Sequence, residues 1–333
     1  LFIFFLPTIV CAHGTIIITN VDHEEGYIDL KIYDNKENFL KEDLAIESIR
    51  KKAVKGQTII PLTKIHEGKI AVVTGAASGI GKALAVAFHS AGAAAVIASD
   101  INKAGVQTVA AKIKSKGIVT DVTNEQDIIR LIKESNDNCG GIDIFCSNVG
   151  IGAYEDFLKL TNAEWRKMFD TNLMSHIYVV RHVLPQMLER GRGHLVFLSS
   201  IAGTAGFPTM ATYCATKAGI SNFVRALTLE LKATSIGTTT VAPGPVATRM
   251  WEAVESTSPS GQKVLDRMNA VRMLPIADPD RLARKVVAAT QRGTRHVRTP
   301  RRLMGNFLMA EGANRMTGAL LAGVKLDPTD SRR

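Results

Sequence analysis

Cysteine is scarce in this chain of 333 residues, and its four cysteines are not arranged as metal ligands or as a disulfide framework. Cys11, Cys139, Cys146 and Cys214 form no C-x-x-C pair and have no histidines at zinc spacing. The sequence therefore predicts no metal site and no set of disulfides. Unpaired cysteines are typical of a reducing compartment, so we expect a cytoplasmic protein.

The apolar run at the start of the chain is too short to cross a membrane. Residues 1–12 are almost wholly apolar, but a bilayer needs about 20 such residues. The run ends in Val10-Cys11-Ala12, which is small enough for signal-peptide cleavage, yet no basic stretch precedes it. Two interpretations stay open for residues 1–12: a truncated signal sequence, which would direct the protein outward, and a buried strand.

Acidic residues are outnumbered, with 31 Asp+Glu against 41 Lys+Arg and a net charge of +10. A hydrophobic share of 46% excludes a disordered chain. No basic stretch is interleaved with aromatic residues, so we expect no nucleic-acid partner. Residues 281–333 carry 12 Lys+Arg and 3 Asp+Glu, which places most of the excess near the C-terminus. We separate residues 301–333 as a basic extension that either docks as a helix or contacts a membrane surface.

Residues 13–66 follow a pattern of their own and form a predicted β-rich extension. Thr15–Val21, Tyr27–Tyr33 and Thr58–Ile65 are predicted strands, and Asn38–Lys52 is a predicted charged helix. About fifty of these residues weakly resemble the first half of a small all-β domain family of unknown function from secreted bacterial proteins. An incomplete domain and an extension without chemistry of its own are both compatible with this pattern.

From residue 67 to residue 300, short apolar runs alternate with helical patterns. The predicted strands are Lys69–Thr74, Ala94–Ser99, Ile142–Asn148, His194–Ser200 and Gly237–Ala242. Such alternation predicts an α/β fold, with a doubly wound parallel sheet covered by helices on both faces. Right-handed crossovers place the carboxyl ends of the strands along one edge, where such folds bind ligands.

A glycine-rich loop follows the first of these strands and opens a helix. The loop contains Gly75, Ser78, Gly79, Ile80 and Gly81. Glycine lets the backbone approach a pyrophosphate, and the helix N-terminus supplies free N–H groups and a favourable dipole. Because the strand, loop and helix all stand in the required order, the motif predicts dinucleotide binding.

Asp100 ends the next strand, about 20 residues after the glycine loop, where an acidic side chain meets the adenosine ribose hydroxyls. A carboxylate there would repel the 2′-phosphate of NADP, and the glycine loop has no Lys or Arg to bind that phosphate. We therefore predict NAD, with NADP less favoured. A structural alternative is that Asp100 only caps the helix beginning near Asn102.

A second group of candidate functional residues consists of Ser200, Tyr213 and Lys217. Residues four apart are neighbours on a helix, so Lys217 should lie beside Tyr213, and an adjacent ammonium should lower the phenol pKa toward neutral pH. Tyr27 and Lys31 have the same spacing, but they belong to a predicted strand that would separate them. Context, and not spacing alone, makes the pair at 213 and 217 a candidate for acid-base chemistry.

In this order, the motifs of residues 67–300 resemble those of the short-chain dehydrogenase/reductase family. The matching positions are the glycine motif, Asp121-Val122, Ser147 to Gly150, Asn172, Ser200, Tyr213-x3-Lys217 and Pro243 to Thr248. Ser147 and Val149 depart from the Asn-Asn-Ala-Gly motif that is usual in the family, whereas Asn148 is retained. We expect a small local change from these two departures.

The resemblance implies an NAD(H)-dependent oxidoreductase that interconverts a small-molecule alcohol and a carbonyl compound, commonly as a homo-oligomer. Tyr213 would be the acid-base, Lys217 its partner, Ser200 the group that binds the substrate oxygen, and Asn172 the anchor of a water. Further cofactor contacts are implied for Asp121, Val122, Asn148, Gly150, Pro243, Gly244, Val246 and Thr248. The alternatives are the same chemistry with NADP(H), or a protein that binds NAD as a scaffold or sensor without turnover.

The substrate side is less well defined by the sequence. Residues 256–261 form a polar breaker cluster after Thr248, and we expect a lid there. Met250, Trp251, Met268 and Met273 either line an apolar pocket or pack in the core. Ser199 is predicted to be a packing residue, since adjacent side chains on a strand point in opposite directions.

Overall fold

The computed structural model describes residues 68–152, 155, 157–255, 266 and 275–300, together with the backbone of five strands before residue 62. Residues 1–9 and 301–333 lie outside this set. The signal-sequence and membrane-contact interpretations therefore stay predictions, as does the lid at 256–261. No helix in the described ranges is long and apolar enough to span a bilayer.

The N-terminal strands pair in two separate small antiparallel sheets. They are β1 (Val10–Ala12), β2 (Thr15–Val21), β3 (Tyr27–Ile32), β4 (Glu47–Lys52) and β5 (Gly56–Pro61). β2 pairs with β1 and with β5, and β3 pairs with β4. The strand interpretation of residues 10–12 is thereby favoured. The predicted strands at β2 and β3 are confirmed, and the one at 58–65 begins earlier, in β5.

The charged helix predicted for Asn38–Lys52 is wrong over its last six residues. Glu47–Lys52 forms β4, which pairs with β3 over its whole length, from Tyr27 opposite Lys52 to Ile32 opposite Glu47. Local helix propensity is weak, so pairing with a partner strand can override it. Residues 38–46 lie outside the described set.

A seven-stranded parallel sheet forms the centre of the remaining chain. Its strands are β6 (Ile70–Thr74), β7 (Ala95–Asp100), β8 (Gly117–Val119), β9 (Ile144–Ser147), β10 (Gly193–Leu198), β11 (Ile236–Pro243) and β12 (His296–Thr299). The spatial order is β12-β11-β10-β9-β6-β7-β8. The five predicted strands are confirmed, with ends shifted by at most two residues. β12 escaped prediction because its four residues carry no continuous apolar run.

The order of the strands reverses between β6 and β9. From β6 the chain first builds outward through β7 and β8, then returns to add β9 to β12 on the other side. In an open α/β sheet, the loops that leave the two strands at such a switch point diverge and create a crevice. The glycine loop after β6 and the Ser147–Gly150 segment after β9 flank this crevice.

Helices cover both faces of the sheet. They are α1 (Gly79–Ser90), α2 (Lys103–Lys112), α3 (Glu125–Cys139), α4 (Asn162–Phe169), α5 (Ser175–Glu189), α6 (Ala211–Glu230), α7 (Arg249–Glu255) and α8 (Pro279–Gln291). One buried cluster joins the sheet to α1, α2 and α8, and the other joins it to α3, α5 and α6. The predicted doubly wound α/β fold is confirmed.

Strand residues alternate between these two clusters. On β9, Ile144 and Cys146 belong to the first cluster and Phe145 to the second. The predicted apolar face of α6 packs in the second cluster, where Ile220 and Val224 are fully or almost fully buried. Because each strand is buried on both sides, its sequence is a continuous apolar run.

Phe145 should be among the side chains on which stability depends most. It is fully buried in the central strand β9. We expect Phe145→Ala to lower the free energy of unfolding by about 3–5 kcal/mol, the usual cost of emptying a large core site. Chemical denaturation measures this loss. Val119→Ala, at a half-exposed position of the edge strand β8, is the matched control and should cost far less. Equal losses in the two variants would contradict the assigned core.

Candidate active site

A cleft of about 1140 Å³ opens at the carboxyl ends of the parallel strands. Most of the site residues predicted from the sequence line it: Gly75, Ser78, Gly79, Ile80, Gly81, Asp100, Asn148, Gly150, Ser200, Tyr213, Lys217, Pro243, Gly244, Val246 and Thr248. These residues come from the ends of five strands with their loops, and from helix α6. The fold therefore brings the separate motifs into one cavity, of the size that binds organic ligands.

The glycine loop forms a backbone cradle that side chains would fill. Gly75 has φ +68°, and a Cβ there would lie 2.9 Å from Asn148 Nδ2. A Cβ on Gly81 would lie 2.1 Å from the Gly75 carbonyl oxygen. Ser78 precedes α1 without capping it by its side chain, so the first N–H groups of the helix stay available. This cradle fits a pyrophosphate group.

Asp100 joins the glycine loop to the end of β7. Its carboxylate accepts hydrogen bonds from the backbone N–H of Ala77 and of Asn102, both at 2.9 Å. The capping alternative for Asp100 is wrong, because the side chain of Asn102 caps α2 by accepting a bond from Gly105 N–H at 3.0 Å. Asp100 thus places a negative charge on the wall of the cleft.

Asn148 ties together the two strands of the switch point. Its backbone N–H donates to Thr74 Oγ1 at 3.1 Å, and its Nδ2 donates to the Thr74 carbonyl at 3.0 Å. Thr74 Oγ1 in turn donates to the Cys146 carbonyl at 3.2 Å. The ends of β6 and β9 are therefore held in register where the cleft begins. Ser147, the departure from the family motif, is buried in β9.

Ser200, Tyr213 and Lys217 meet at one wall of the cleft. The hydroxyls of Ser200 and Tyr213 are hydrogen-bonded to each other. Lys217 Nζ donates to the Leu198 carbonyl at 2.8 Å and lies 5.6 Å from the centroid of the Tyr213 ring. All three side chains are at least nine-tenths buried. The helical spacing thus brings the pair together as predicted.

The expected lowering of the Tyr213 pKa is wrong for the protein alone. Burial raises the pKa of Tyr213 to about 12, and the hydrogen bond from Ser200 opposes this only in part. Burial also lowers the pKa of Lys217 to about 7. Desolvation penalises the charged form of each group, and here it outweighs the attraction between a phenolate and an ammonium.

Asn172 lies behind this wall and does not line the cleft. It belongs to a π-helical turn, Asp170–Met174, that joins α4 to α5. Its Oδ1 accepts a bond from Ile151 N–H at 2.8 Å, and its Nδ2 donates to the Ile151 carbonyl and to Thr216 Oγ1. Both N–H groups of the Asn172 side chain are thus occupied by protein partners, and its predicted role as the anchor of a water stays a prediction.

Asp121 and Val122 also lie outside the cleft wall. The Asp121 carboxylate accepts bonds from the backbone N–H and the hydroxyl of Thr123, at 2.9 and 2.7 Å. Val122 is buried in the sheet-facing cluster of α3. The structure therefore does not bring these two side chains into the cleft with the others, and their contact with adenine stays a prediction.

Ser199 does more than the predicted packing. Its hydroxyl donates to the Lys217 carbonyl at 3.0 Å and is hydrogen-bonded to Ser221 Oγ at 2.7 Å. Gly203 permits this close approach, because a Cβ there would lie 2.6 Å from the Lys217 carbonyl oxygen. The end of β10 is thus fixed to α6 by a buried polar contact. Ser199 is also among the residues at the cleft, and alternation along the strand gave no sign of this polar contact.

An apolar wall adjoins Tyr213. Phe207, Met210 and Met250 line the cleft and pack against Tyr213, Ala202 and Met168. The pocket interpretation of Met250 and Trp251 is supported, since both line the cleft. Met268 and Met273 lie outside the described residues. Sequence analysis missed Phe207 and Met210, and the only signal for them was the turn-forming Pro208 before α6.

The doubly wound sheet, with a glycine cradle at its switch point, defines a Rossmann-type nucleotide-binding fold. The profile of the short chain dehydrogenase family matches residues 69–259. The chain therefore belongs to the short chain dehydrogenase family, a family of oxidoreductases.

Two relatives show the extent of the likeness in sequence. An uncharacterized oxidoreductase of Staphylococcus aureus strain MW2 is 38% identical over 201 residues, which are 60% of this chain and 85% of the relative. The 3-oxoacyl-[acyl-carrier-protein] reductase FabG of Haemophilus influenzae is 34% identical over 209 residues, 62% of this chain and 85% of that protein.

Solved structures share the fold. A short chain dehydrogenase/reductase from Burkholderia phymatum, in complex with NAD, superposes with a TM-score of 0.64 at 23% identity, covering 80% of this chain and 99% of that one. A 7α-hydroxysteroid dehydrogenase complexed with NADH and 7-oxo glycochenodeoxycholic acid superposes with a TM-score of 0.65 at 25% identity, covering 72% and 96%.

His176, buried behind Lys217, should make the protein sensitive to acid. Its ring is fully buried against Phe197, and neither ring nitrogen has a hydrogen-bond partner among the described residues. Burial, together with the Lys217 ammonium, lowers the pKa of His176 to about 3. Between pH 6.5 and about 3 the unfolded state therefore binds a proton that the folded state does not.

We expect His176 to cost about 1.4 kcal/mol of stability per pH unit as the pH falls through this window. Chemical denaturation at a series of pH values measures the slope. His176→Leu should flatten it, whereas His89→Leu, at an exposed position of α1, should not. A slope that His176→Leu leaves unchanged would show that this imidazole is not buried as described.

Proposed function

We propose that the protein is an NAD(H)-dependent oxidoreductase that interconverts an alcohol and a carbonyl compound. The observation that carries this proposal is the buried group of Ser200, Tyr213 and Lys217 in the same cleft as the glycine cradle. A phenol, a hydroxyl and an ammonium in this arrangement suit transfer of a proton to or from a substrate oxygen. The NAD and NADH complexes of the structural relatives support the cofactor class.

In the reductive direction, a nicotinamide bound in the cleft would supply the hydride for the carbonyl carbon. The Tyr213 hydroxyl donates its proton to the carbonyl oxygen, which yields the alcohol. A Tyr213 pKa of about 12 keeps this proton in place at neutral pH, as a general acid requires. Ser200, already hydrogen-bonded to Tyr213, orients the same oxygen. In oxidation each of these transfers runs in reverse.

Lys217 has two roles in this proposal. The end of the Lys217 side chain lies beside Gly150, because a Cβ built on Gly150 would lie 3.1 Å from Lys217 Nζ. From this position the ammonium faces the region between Tyr213 and the cradle, where it binds the nicotinamide ribose. It also supplies positive charge beside Tyr213 when the phenolate forms, which is the form that burial penalises most.

NAD is the favoured cofactor because of Asp100. Its carboxylate lies on the cleft wall next to the glycine loop, held by Ala77 and Asn102 N–H. A ribose 2′-hydroxyl can donate to this carboxylate, whereas a 2′-phosphate would be repelled by it.

Tyr213→Phe should lower kcat by at least about 100-fold with any accepted ketone and NADH, because it removes the proton donor. NADH oxidation followed by absorbance measures this loss. Tyr27→Phe, which changes the other Tyr-x3-Lys pair, in strand β3, should leave the rate unchanged. A wild-type rate in Tyr213→Phe would disprove the mechanism. Tight NAD binding without turnover across a broad panel of carbonyl compounds and alcohols would instead favour a sensor or scaffold.

Asp100→Asn should lower the ratio of kcat/KM with NADH to kcat/KM with NADPH by about tenfold, which is equivalent to roughly 1.4 kcal/mol. The amide keeps a hydrogen-bond acceptor for the loop but removes the charge that repels a 2′-phosphate. The ratio of kcat/KM for the two cofactors measures the change. Asp121→Asn, outside the cleft, is the control. A wild-type enzyme that prefers NADPH would overturn the cofactor assignment.

A further inference from the structure

The loop between Ser200 and α6 ends in a strained turn. In this segment, which we name the cleft turn (Phe207–Met210), the Met210 N–H donates to the Phe207 carbonyl at 3.2 Å. Pro208 occupies the second position, and Thr209, at the third, has φ +62°. Proline followed by a positive φ is the pattern of a type II turn, whose third position is normally glycine or asparagine.

Threonine is an unfavourable residue for this position. A β-branched side chain crowds the backbone in the left-handed region, so Thr209 holds a conformation that costs free energy. The surroundings must maintain it. One support is the bond from Cys214 N–H to the Met210 carbonyl, at 2.8 Å, which joins the cleft turn to the first turn of α6. Strain of this kind is concentrated where a structure positions groups for binding.

The cleft turn positions two large apolar side chains beside Tyr213. Phe207 and Met210, at its two ends, both line the cleft and pack in the cluster that contains Tyr213. The other described members of this cluster are Ile151, Met168, Ala202, Cys214 and Met250. The space next to the Tyr213 hydroxyl is therefore bounded by aromatic, thioether and alkyl groups.

Charged side chains enter the same cleft from other elements. Asp100 belongs to the end of β7, Lys82 to α1, and Asp280 and Arg284 to α8. On α7, Arg249 and Glu252 are exposed, whereas the intervening Met250 and Trp251 are partly buried. Arg249 and Glu252 also line the cleft. The apolar cluster around Tyr213 thus offers dispersion contacts and burial to a substrate.

We propose that the cleft turn selects the substrate, and that it selects carbonyl compounds with an extended apolar group next to the reacting carbon over those with a short one. This inference rests on the proposed function. The positive φ of Thr209 directs the chain so that Phe207 and Met210 both face the substrate. The strain at Thr209 is maintained because a relaxed turn would move one of them away.

The test measures kcat/KM with NADH for straight-chain methyl ketones from four to nine carbons. Burying one methylene is worth about 0.8 kcal/mol, so each added carbon should raise kcat/KM by about fourfold until the wall is covered. Equal kcat/KM along the whole series would overturn the proposal while leaving the proposed function intact.

Variants of the cleft turn test whether its side chains cause the dependence of kcat/KM on ketone chain length. Phe207→Ala and Met210→Ala should each reduce the increase per carbon to less than twofold. Thr209→Gly, which keeps the positive φ, should preserve the increase, whereas Thr209→Pro, which requires a negative φ, should abolish it. Gly206→Ala is the control in the same loop, because a Cβ there meets nothing within 4 Å and the φ is ordinary.

Two further measurements distinguish a failure of the cleft-turn proposal from a failure of the proposed function. NADH binding, followed by fluorescence, should be the same in all variants, since the cleft turn lies away from the glycine cradle. Ketone binding to Tyr213→Phe protein with NADH, measured by calorimetry, should show the same dependence on chain length. If the wild-type protein shows no turnover but ketone binding still depends on chain length, the proposed function is refuted and the role of the cleft turn is not. Variants with unchanged length dependence would refute the role of the cleft turn, and if Thr209→Pro does not fold, the two alanine variants decide the question.

Discussion

The bond from the buried Lys217 ammonium to the Leu198 carbonyl joins the two elements on which the site depends. Leu198 ends β10, and Lys217 lies on α6. The next two residues of the chain continue the attachment: Ser199 bonds to the Lys217 carbonyl, and Ser200 bonds to Tyr213. Three consecutive residues thus determine the position of the helix relative to the sheet. The distance between the proposed proton donor and the cradle follows from these bonds.

Burial of this group has a cost that the surrounding structure offsets. A buried ammonium is expensive unless it is hydrogen-bonded, and its pKa near 7 reflects the desolvation. His176 adds a buried imidazole whose ring nitrogens have no hydrogen-bond partner among the described residues. Large apolar clusters on both faces of the sheet hold these unfavourable groups in place. The stability of the core is in this sense a condition for the chemistry proposed at its edge.

Local patterns were sufficient to predict much of this arrangement. The glycine loop was recognisable because positive φ and close backbone contacts exclude other residues at Gly75 and Gly79. The relation of Tyr213 to Lys217 follows from helical geometry, and the position of Ser200 follows from the end of an apolar strand. Each of these features depends on residues that are neighbours in the chain or on one regular element.

Features decided by distant partners could not be predicted in the same way. Glu47–Lys52 is a strand because β3 pairs with it. The Tyr213 pKa rises because the whole wall excludes water, which the neighbouring lysine did not reveal. Thr209 adopts a conformation that its own residue type disfavours, so no propensity could have indicated the turn.

Gly203 divides the loop after Ser200 into two parts with different freedom to change. At Gly203 the chain is pressed against the Lys217 carbonyl and Ser221, where even a methyl group has no room. After it, the chain moves away from α6, and Gly206 faces open space. Substitutions can therefore accumulate in the second part without disturbing the first. A protein built in this way can acquire new substrates over generations while its proton-transfer machinery stays the same.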